Sequence, residues 1–400
     1  MSSSKTMPPM NRSDYKRLGN YIREVDVRNR DLAVTQLVGL TIDKAFIPSV
    51  ANVIGTDLSN YKVIRNKQFA CSLMQVSRDQ KIPVAIFKGT AAIMSPAYPM
   101  FEVIDEQELM PEYLMMWFAR KEFDREASFY AVGGVRGSLT WEDFTNMTLP
   151  VPSIERQRAM VAEYETLSRR IDLNRSMIAQ LEATAQTLYR KMFVDDIDPE
   201  HLPAGWRMGT LGEICEINTE NLSSRDKYQY IRYLDSSSVV QNAFEEYQTL
   251  NALVDDIPSR AKRKVRHNDI VYSTVRPNLK HYGIIKGDID NLIVSTGFAV
   301  IRSRCEIFSN ELIYLVLTDD KNTEILQGIA EMSKATYPSI TPDDILNIKV
   351  LIPLSSERTR KINKSLKCCF DFIYFKHQEN KEIKNLQSLL LAKMGHKMRK

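Results

Sequence analysis

Residues 154–193 read IERQRAMVAEYETLSRRIDLNRSMIAQLEATAQTLYRKMF, a stretch of forty residues without proline or glycine. Along it, a seam position recurs alternately every four and every three residues, at Met160, Tyr164, Leu167, Ile171, Asn174, Ile178, Leu181, Ala185, Leu188 and Met192. A period of 3.5 is typical of a helix that packs along its length against another helix. The predicted helix is about 60 Å long, and because a rod with one apolar seam is not stable alone in water, it requires a partner.

The partner is predicted in the same chain, at residues 357–394. Adding 202 to the first seam gives a second seam, at Ile362, Leu366, Cys369, Ile373, Lys376, Asn380, Ile383, Gln387, Leu390 and Met394. Asn174 lies in the middle of the first seam, and Lys376 and Asn380 lie in the middle of the second. Antiparallel packing brings these middles together as a polar layer that fixes the register, so we predict an intramolecular antiparallel coiled coil.

The repeat extends upstream of both helices. Residues 138–144 (SLTWEDF) align with residues 339–345 (SITPDDI), and residues 86–89 (IFKG) align with residues 284–287 (IIKG). The offsets stay between 193 and 202, which indicates a pseudo-two-fold internal repeat of globular unit and helix.

Short runs rich in β-branched and aromatic residues predict a strand-rich globular unit in each half. Those strands are expected at residues 61–64, 69–74, 84–87 and 91–94, and at 269–275, 283–285, 292–294 and 297–301. One helix is expected in each unit, over residues 109–127 in the first and 310–318 in the second. The predicted fold is α+β, with two α/β units of twisted, mainly antiparallel sheet separated by the two long helices. The predicted boundaries are a disordered tail at 1–14, a first unit at 15–153, a helical spacer at 154–195, a second unit at 196–353 and a second helical spacer at 354–400.

Composition and motifs exclude several classes of function. The chain has a net charge of +4 and five cysteines, none of them in a CxxC pair, which favours reduced thiols in a cytoplasmic protein. No apolar run approaches the 18 residues of a membrane span. The phosphate-binding, dinucleotide-binding, zinc-protease and serine-hydrolase motifs GxxxxGK[ST], GxGxxG, HExxH and GxSxG are missing from the sequence. We therefore predict no catalytic residue, no metal site and no cofactor in this chain.

Charge placement is the positive signal. Between residues 259 and 287 there are eight basic residues and one acid, Asp269, a net charge of +7. The basic residues are Arg260, Lys262, Arg263, Lys264, Arg266, Arg276, Lys280 and Lys286. Such a cluster is often only a solvated face, but Tyr272, His281 and Tyr282 are interleaved with these charges. A basic segment with interleaved aromatic residues suits contacts with phosphates and base edges of nucleic acid.

At this point the sequence resembles the specificity subunit of type I restriction–modification enzymes over nearly its whole length. The resemblance rests on the doubled order of unit and helix and on three segments of the second half: residues 272–280 (YSTVRPNLK), 294–301 (VSTGFAVI) and 335–340 (ATYPSI). It implies that each globular unit is a target recognition domain reading one half of a bipartite, asymmetric site in double-stranded DNA. It further implies that the helices dock two methyltransferase subunits, which hold S-adenosylmethionine, and that restriction subunits join them to form a nuclease dependent on ATP and magnesium. The specificity subunit itself carries no catalytic residues in this family.

The resemblance and the charge pattern together give candidate DNA-binding residues. In the second unit they are Arg263, Arg266, Arg276, Lys280, His281, Lys286, Lys334, Thr336 and Tyr337. In the first unit they are Arg78, Lys81, Lys88, Arg136, Ser138 and Thr140. The first unit departs from the family pattern, because residues 72–78 (SLMQVSR) lack the Thr-Val-Arg-Pro form of the second. For Thr140 and for its repeat equivalent Thr341, a helix N-cap is the favoured reading.

A second class of function remains open from the sequence: a pseudo-symmetric coiled-coil scaffold whose globular ends bind proteins. It accounts for the repeat and the helices but not for the basic segment. DNA binding with a steep salt dependence separates the two classes, because phosphate contacts release counterions and protein contacts do not. The DNA sequence read and the length of the gap between its halves are not predicted.

Overall fold

The computed structural model describes residues 15–49, 55–74, 76–132, 137–195, 197–198, 200–223, 225–245, 247–333, 337–355 and 357–395. The chain divides into two compact units. Unit 1 contains the chain up to Ile171 together with residues from Glu382 onward, and unit 2 contains Asp172–Lys381. The division falls inside the two long helices, so each helix contributes one part to each unit.

In its described residues, unit 1 contains ten short strands, four short α-helices and parts of the two long ones. Its strands are β1 (Tyr15–Arg17), β2 (Ile22–Glu24), β3 (Val38–Leu40), β4 (Phe46–Pro48), β5 (Lys62–Arg65), β6 (Phe69–Cys71), β7 (Val84–Ile86), β8 (Ala91–Met94), β9 (Met100–Val103) and β10 (Thr148–Pro150). Its helices are α1 (Val76–Asp79), α2 (Pro111–Phe118), α3 (Lys121–Tyr130), α4 (Trp141–Asn146) and the first part of α5 (Ile154–Phe193). The single helix expected over residues 109–127 is wrong in detail, because the chain leaves the helical conformation at Arg120, where φ is −75° and ψ is 137°.

The main sheet of unit 1 has the strand order β2-β9-β6-β7, with every pair antiparallel. One face of this sheet packs against α2, α3 and α4 through a cluster of aromatic rings. Phe69 and Phe101 stack with ring centres 5.0 Å apart, and Phe118 meets both rings edge-on. The other face is covered by the β5–β8 pair and the β3–β4 hairpin, which bring Ile64 and Phe46 onto Phe87. Strands β6, β7 and β9 are almost wholly buried, as expected for a sheet that is covered on both faces.

Unit 2 contains the same elements and a few more. Its strands are β11 (Trp206–Thr210), β12 (Cys215–Ile217), β13 (Tyr230–Leu234), β14 (Val239–Val240), β15 (Ala243–Phe244), β16 (Gln248–Asn251), β17 (Ala261–Lys264), β18 (Ile270–Ser273), β19 (Tyr282–Ile284), β20 (Leu292–Ser295), β21 (Phe298–Ser303) and β22 (Lys349–Pro353). Its helices are α6 (Leu211–Ile214), α7 (Asn310–Thr318), α8 (Asp320–Met332), α9 (Pro342–Leu346), the second part of α5 and most of α10 (Glu357–Lys393).

The main sheet of unit 2, β12-β21-β18-β19, repeats the strand order and the antiparallel pairing of the first. The second sheet is larger than in unit 1 and has the order β16-β13-β20-β17. Its β13–β20 pair is parallel, which qualifies the expectation of a mainly antiparallel sheet without overturning it.

The internal repeat is confirmed down to single hydrogen bonds. The Leu139 N–H donates to the Leu73 carbonyl in unit 1 over 2.9 Å, and the Ile340 N–H donates to the Thr274 carbonyl in unit 2 over the same distance. Ile340 lies 201 positions after Leu139, and Thr274 lies 201 positions after Leu73, so the two bonds join equivalent residues. The segment before α4 or α9 is therefore held to the residues that follow β6 or β18 in the same way in both units.

The two long helices run antiparallel to each other within each unit. In unit 1, the Gln387 amide donates to the Ser168 hydroxyl at 2.8 Å, near the end of α10 and midway along α5. In unit 2, the Asn174 amide donates to the Asn380 carbonyl oxygen at 2.9 Å, and both side chains are buried. The predicted antiparallel coiled coil and its central asparagine pair are confirmed.

Most seam positions lie where the period places them. Ile171, Asn174, Ile178, Leu366, Ile373, Asn380 and Ile383 are buried, and Met160, Tyr164, Leu167, Leu181, Ile362, Lys376 and Leu390 are half-buried. Lys376 turns its ammonium to Glu379, 2.7 Å away on its own helix.

Leu188 is the exception, because it is 42% exposed. At this end α5 packs against the globular part of unit 2 rather than against α10. Ala185 is buried as the seam predicts, and beyond it the buried positions shift to Tyr189 and Phe193. The Phe193 ring centre lies 5.5 Å from those of Phe308 and Trp206. Placing Leu188 in the helix–helix seam was wrong.

Replacing Asn174 with leucine should lower the free energy of unfolding by about 1–2 kcal/mol, since the buried side-chain oxygen of Asn380 then loses its hydrogen-bond donor. The double variant Asn174→Leu/Asn380→Leu should recover the loss, because a leucine layer has no polar group to satisfy. Urea denaturation measures both, and Gln180→Leu, at an exposed position of α5, is the control. A double variant as unstable as the single one would contradict the pairing.

Candidate nucleic-acid interface

The loop after β18 has an unusual backbone. It runs from Thr274 through a 3-10 turn at Pro277–Leu279, flanked by Arg276 with φ 48° and Lys280 with φ 58°. Residues other than glycine rarely adopt this left-handed backbone conformation. Where they do, they are often found at functional sites, because the surrounding structure holds the strained conformation in place. We call residues 274–280 the recognition loop.

A distant part of the chain holds the recognition loop in place. The Arg276 N–H donates to the Pro338 carbonyl at 3.0 Å, and Val275 forms an antiparallel bridge with Ser339. From α8, the Gln327 side-chain oxygen accepts the Asn278 N–H at 3.2 Å. Two segments that the sequence marked separately therefore meet at one place in the fold: residues 272–280 and the described part of 335–340, residues 337–340.

Three side chains at this place are open to solvent. The guanidinium carbon of Arg276 lies 5.8 Å from the centre of the Tyr337 ring, which is 61% exposed. Lys280 is exposed at the other end of the loop. A guanidinium beside an aromatic face, with a second cation nearby, can pair with phosphate or with the O6 and N7 atoms of guanine and can stack on a base.

Two predicted contact residues in this region have hydrogen-bond partners within the protein. Lys286 is buried, with its ammonium 3.1 Å from a Glu311 oxygen and 2.8 Å from an Asp371 oxygen. An ammonium held by two carboxylates inside the unit is not available to DNA, so the assignment of Lys286 to DNA contact was wrong. The His281 ring is half-buried, and its Nδ1 lies 2.7 Å from the Val239 carbonyl. Nδ1 is therefore the protonated nitrogen, and it donates to that carbonyl.

Basic residues in and after strand β17 have partners within the chain, and two of those partners are acids. Arg263 donates to the Asn221 side chain at 2.7 Å, and Lys264 pairs with Asp226. Arg266 is exposed but pairs with Glu220. The effective positive charge of this surface is therefore lower than the +7 counted from the sequence. To contact DNA, Arg263 and Arg266 would have to exchange their present partners for it.

Unit 1 presents its candidates on an equivalent surface. Arg78, Lys81 and Lys88 are all exposed. The Arg78 side chain bonds to Asp79 at 2.6 Å and holds the pKa of that carboxyl below its ordinary value, while Lys81 pairs with Asp43 at 3.1 Å. These surface pairs are weak and can open when a phosphate arrives.

The loop before α4 meets α1 closely in unit 1. A Cβ atom at Gly137, where φ is +69°, would lie 2.0 Å from the Ser77 hydroxyl oxygen. This approach brings Ser138, which is half-buried, next to the helix that carries Arg78. Arg136, Lys334 and Thr336 lie outside the residues that the structure describes.

Thr140 and Thr341 are helix N-caps, as the favoured reading had it. The Thr140 hydroxyl accepts the Asp143 N–H at 3.0 Å, and the Thr341 hydroxyl accepts the Asp344 N–H at 3.3 Å. Their side chains stabilise α4 and α9.

The sequence reasoning missed the β14–β15 hairpin beside the recognition loop. Its turn residues Gln241 and Asn242 both have positive φ, 45° and 62°. A two-residue turn with asparagine between two short apolar pairs is the signal that could have identified it. Next to it, burial raises the pKa of Glu182 on α5 above its ordinary value, which the hydrogen bond from Asn242 partly offsets.

Within the described ranges, no group of three or more His, Cys, Asp and Glu side chains is placed to hold a metal ion. No helix in that part of the chain is long and apolar enough to cross a membrane.

Comparison with known proteins gives a consistent result. The family model for the type I restriction modification DNA specificity domain matches residues 203–385. The type I restriction enzyme HindI specificity subunit of Haemophilus influenzae is 30% identical over 188 residues, which are 46% of this chain. The match spans 39% of that relative's length.

Two solved structures are similar over most of their length. The type I restriction–modification S subunit from M. genitalium has a TM-score of 0.58 at 12% identity, covering 96% of each chain. The HsdS subunit from Thermoanaerobacter tengcongensis has a TM-score of 0.34 at 19% identity, covering 98% of each. The first of these supports the fold, and the family model shows that residues 203–385 are similar to the type I restriction modification DNA specificity domains.

Proposed function

We propose that this chain is the specificity subunit of a type I restriction–modification complex and performs no catalysis itself. Each unit acts as a target recognition domain, with boundaries near residues 15–153 and 196–353, and reads one half of a bipartite, asymmetric site in double-stranded DNA. The proposal places the chain in the cytoplasm, where its DNA is.

The recognition loop carries the proposal. Its two exposed cations and the exposed Tyr337 ring are held by a strained backbone and by a second segment of the chain. A surface used only for solubility needs no such constraint, whereas reading base edges requires donors fixed in position. The same hydrogen bond holds the corresponding segment in unit 1, where Arg78 is exposed.

The long helices provide surfaces for partners. In unit 2, Leu173 on α5 and Phe372 and Phe375 on α10 are exposed, and in unit 1 so are Leu386 and Leu389. Apolar side chains exposed along a helix favour docking of other helices. We propose two methyltransferase subunits there, which hold S-adenosylmethionine, joined by restriction subunits that use ATP and magnesium.

Replacing Arg276 with alanine tests the proposal. A library of duplexes with a randomised central segment is selected on the full chain, and binding of the selected and the unselected duplexes is measured against salt. If Arg276 reads a base, affinity for the selected duplex should fall by about 1–3 kcal/mol, with preference lost in one half-site only. If it contacts phosphate alone, both duplexes weaken alike and the salt slope decreases by about one.

Lys361→Ala is the matched control, since Lys361 is an exposed cation on α10 in the same unit. It should leave both affinities unchanged. Selection of no preferred sequence, with no salt dependence of binding, would overturn the proposal and favour the alternative of a coiled-coil scaffold that binds proteins.

A further inference from the structure

Both units carry a short hairpin at the same place. β3–β4 in unit 1 and β14–β15 in unit 2 each insert a valine from the first strand and a phenylalanine from the second into the smaller core of their unit, Val38 with Phe46 and Val239 with Phe244. At each tip a polar residue adopts the left-handed conformation, Lys44 with φ 63° and Asn242 with φ 62°.

The hairpin of unit 2 grips the strand that follows the recognition loop. The Gln241 N–H donates to the Lys280 carbonyl and the Asn242 N–H to the Tyr282 carbonyl, both at 3.1 Å. In return, the His281 ring donates to the Val239 carbonyl at 2.7 Å. The exposed Lys280 is thereby fixed from its own carbonyl and from the residue after it.

The Asn242 side chain connects the hairpin and strand β19 to the helices α7 and α5. Its carbonyl oxygen accepts the Ile284 N–H at 3.0 Å, and its amide donates to the Tyr314 hydroxyl at 2.8 Å and to a Glu182 oxygen at 3.5 Å. The side chain is buried, so none of these bonds is exchanged with water. One residue therefore ties β19 to α7 and to α5.

Unit 1 reaches the same result with different chemistry. The Lys44 ammonium donates to the Phe118 carbonyl and lies 2.8 Å from an Asp124 oxygen, with both side chains nearly buried. The same Asp124 oxygen accepts the Ile82 N–H at 3.2 Å, directly after the candidate contact residue Lys81. Burial lowers the pKa of Lys44, and the hydrogen bond to Asp124 opposes that shift.

We propose that Asn242 and Lys44 are positioning residues for DNA recognition. From the tip of a hairpin, each fixes the residues that directly follow a candidate contact residue of its own unit, Lys280 or Lys81. Neither touches DNA. The inference rests on the proposed function, and it adds that the two half-sites depend on two separate positioning networks. Two different side-chain chemistries at equivalent hairpin tips, both tied to the strand after the contact residues, support it independently.

The test uses Asn242→Gly, which removes the side chain while glycine tolerates the left-handed backbone. Asn291→Gly is its control, because Asn291 is an exposed turn residue with φ 56°. In unit 1, Lys44→Met is tested with Lys44→Arg as the conservative variant. Lys67→Met is the control there, a lysine with φ 66° and an exposed partner, Glu106.

Each full-length variant is taken through selection on the randomised duplex library. Asn242→Gly should weaken binding of the wild-type-selected duplex about tenfold and flatten base preference in the half-site that Arg276→Ala also affects. Lys44→Met should flatten the other half-site, and Lys44→Arg should restore most of it. Affinity for unselected duplex and the salt slope should stay at the wild-type values, since no phosphate contact is removed.

A general loss of binding or of both half-sites together would overturn the positioning role in favour of a structural one. If Arg276→Ala flattens a half-site and Asn242→Gly does not, the inference fails while the proposed function stands. If the wild-type chain selects no preferred sequence and its binding shows no salt dependence, the proposed function fails. Hydrogen exchange tests the positioning inference separately from DNA binding. Amides 280–284 should exchange at least about tenfold faster in Asn242→Gly than in Asn291→Gly, and equal rates would overturn the inference.

Discussion

Replacing Lys286 with methionine is expected to lower the free energy of unfolding by about 3–5 kcal/mol, the typical cost of leaving one partner of a buried ion pair alone. The Lys286 ammonium lies between Glu311, whose side chain is 1% exposed, and Asp371, which is 40% exposed. Asp371 can turn to water when the lysine is gone, but the Glu311 carboxylate cannot. Urea denaturation of the full chain measures the loss.

The internal repeat supplies the matched control. Lys88 occupies the equivalent position in residues 86–89 but is exposed, so Lys88→Met should change stability by less than about 0.5 kcal/mol. Adding Glu311→Leu to Lys286→Met should recover much of the loss, because the unpaired carboxylate is then removed. Equal stabilities of the Lys286 and Lys88 variants would show that the buried cluster does not stabilise unit 2.

Replacing Phe118 with alanine should cost a similar amount, about 3–5 kcal/mol, through the cavity that it leaves. Its ring centre lies 5.9 Å from that of Phe69, 6.1 Å from Phe101, 4.9 Å from Phe123 and 5.8 Å from Phe144. The ring therefore joins the main sheet of unit 1 to helices α3 and α4.

Hydrogen exchange locates the effect. Amides of residues 55–132 should lose protection in Phe118→Ala, whereas amides of residues 247–333 in unit 2 should keep theirs. Phe129→Ala, on the neighbouring helix α3 and 75% exposed, is the control and should change stability by less than about 0.5 kcal/mol. A loss of protection that is equal in both units would show that the aromatic cluster does not belong to unit 1 alone.

The helices and the repeat were predictable because their signals are local and periodic. A seam of period 3.5 needs no knowledge of distant residues, and the copy at residues 357–394 makes the partner visible in the same chain. Asn174 and Asn380 pair as expected because an antiparallel register of two equal helices leaves them few alternatives.

The burial of Lys286 was not predictable in the same way. Its partners, Glu311 and Asp371, are 25 and 85 positions away, and nothing in the run of basic residues distinguishes a lysine that points inward from one that points outward. The partners of Arg263 and Arg266 lie about 40 positions before them, in a segment that carries no recognisable pattern. Counting charges along a sequence overestimates the positive charge of a surface whenever the fold brings acidic side chains to that surface.

The positioning hairpins were missed for a related reason. Strands β14 and β15 have two residues each, too few for a period, and Asn242 reveals its role only through Tyr314 and Glu182. The parallel β13–β20 pair likewise depends on a connection of more than fifty residues that no local propensity determines. Contacts between segments far apart in sequence decide these features.

The composition of unit 1 has a consequence for synthesis on the ribosome. Its core includes Val161 and Met394, and the Arg120 side chain donates to the Leu391 carbonyl at 3.0 Å, so the last part of α10 completes a structure begun by the first residues. At about 5–20 residues per second, the roughly 210 residues between them take about 10–40 s to be translated. During that time the nascent unit 1 exposes apolar surface that chaperones can bind, whereas unit 2 is a continuous segment. Although it is synthesised later, unit 2 is the first of the two whose chain is complete.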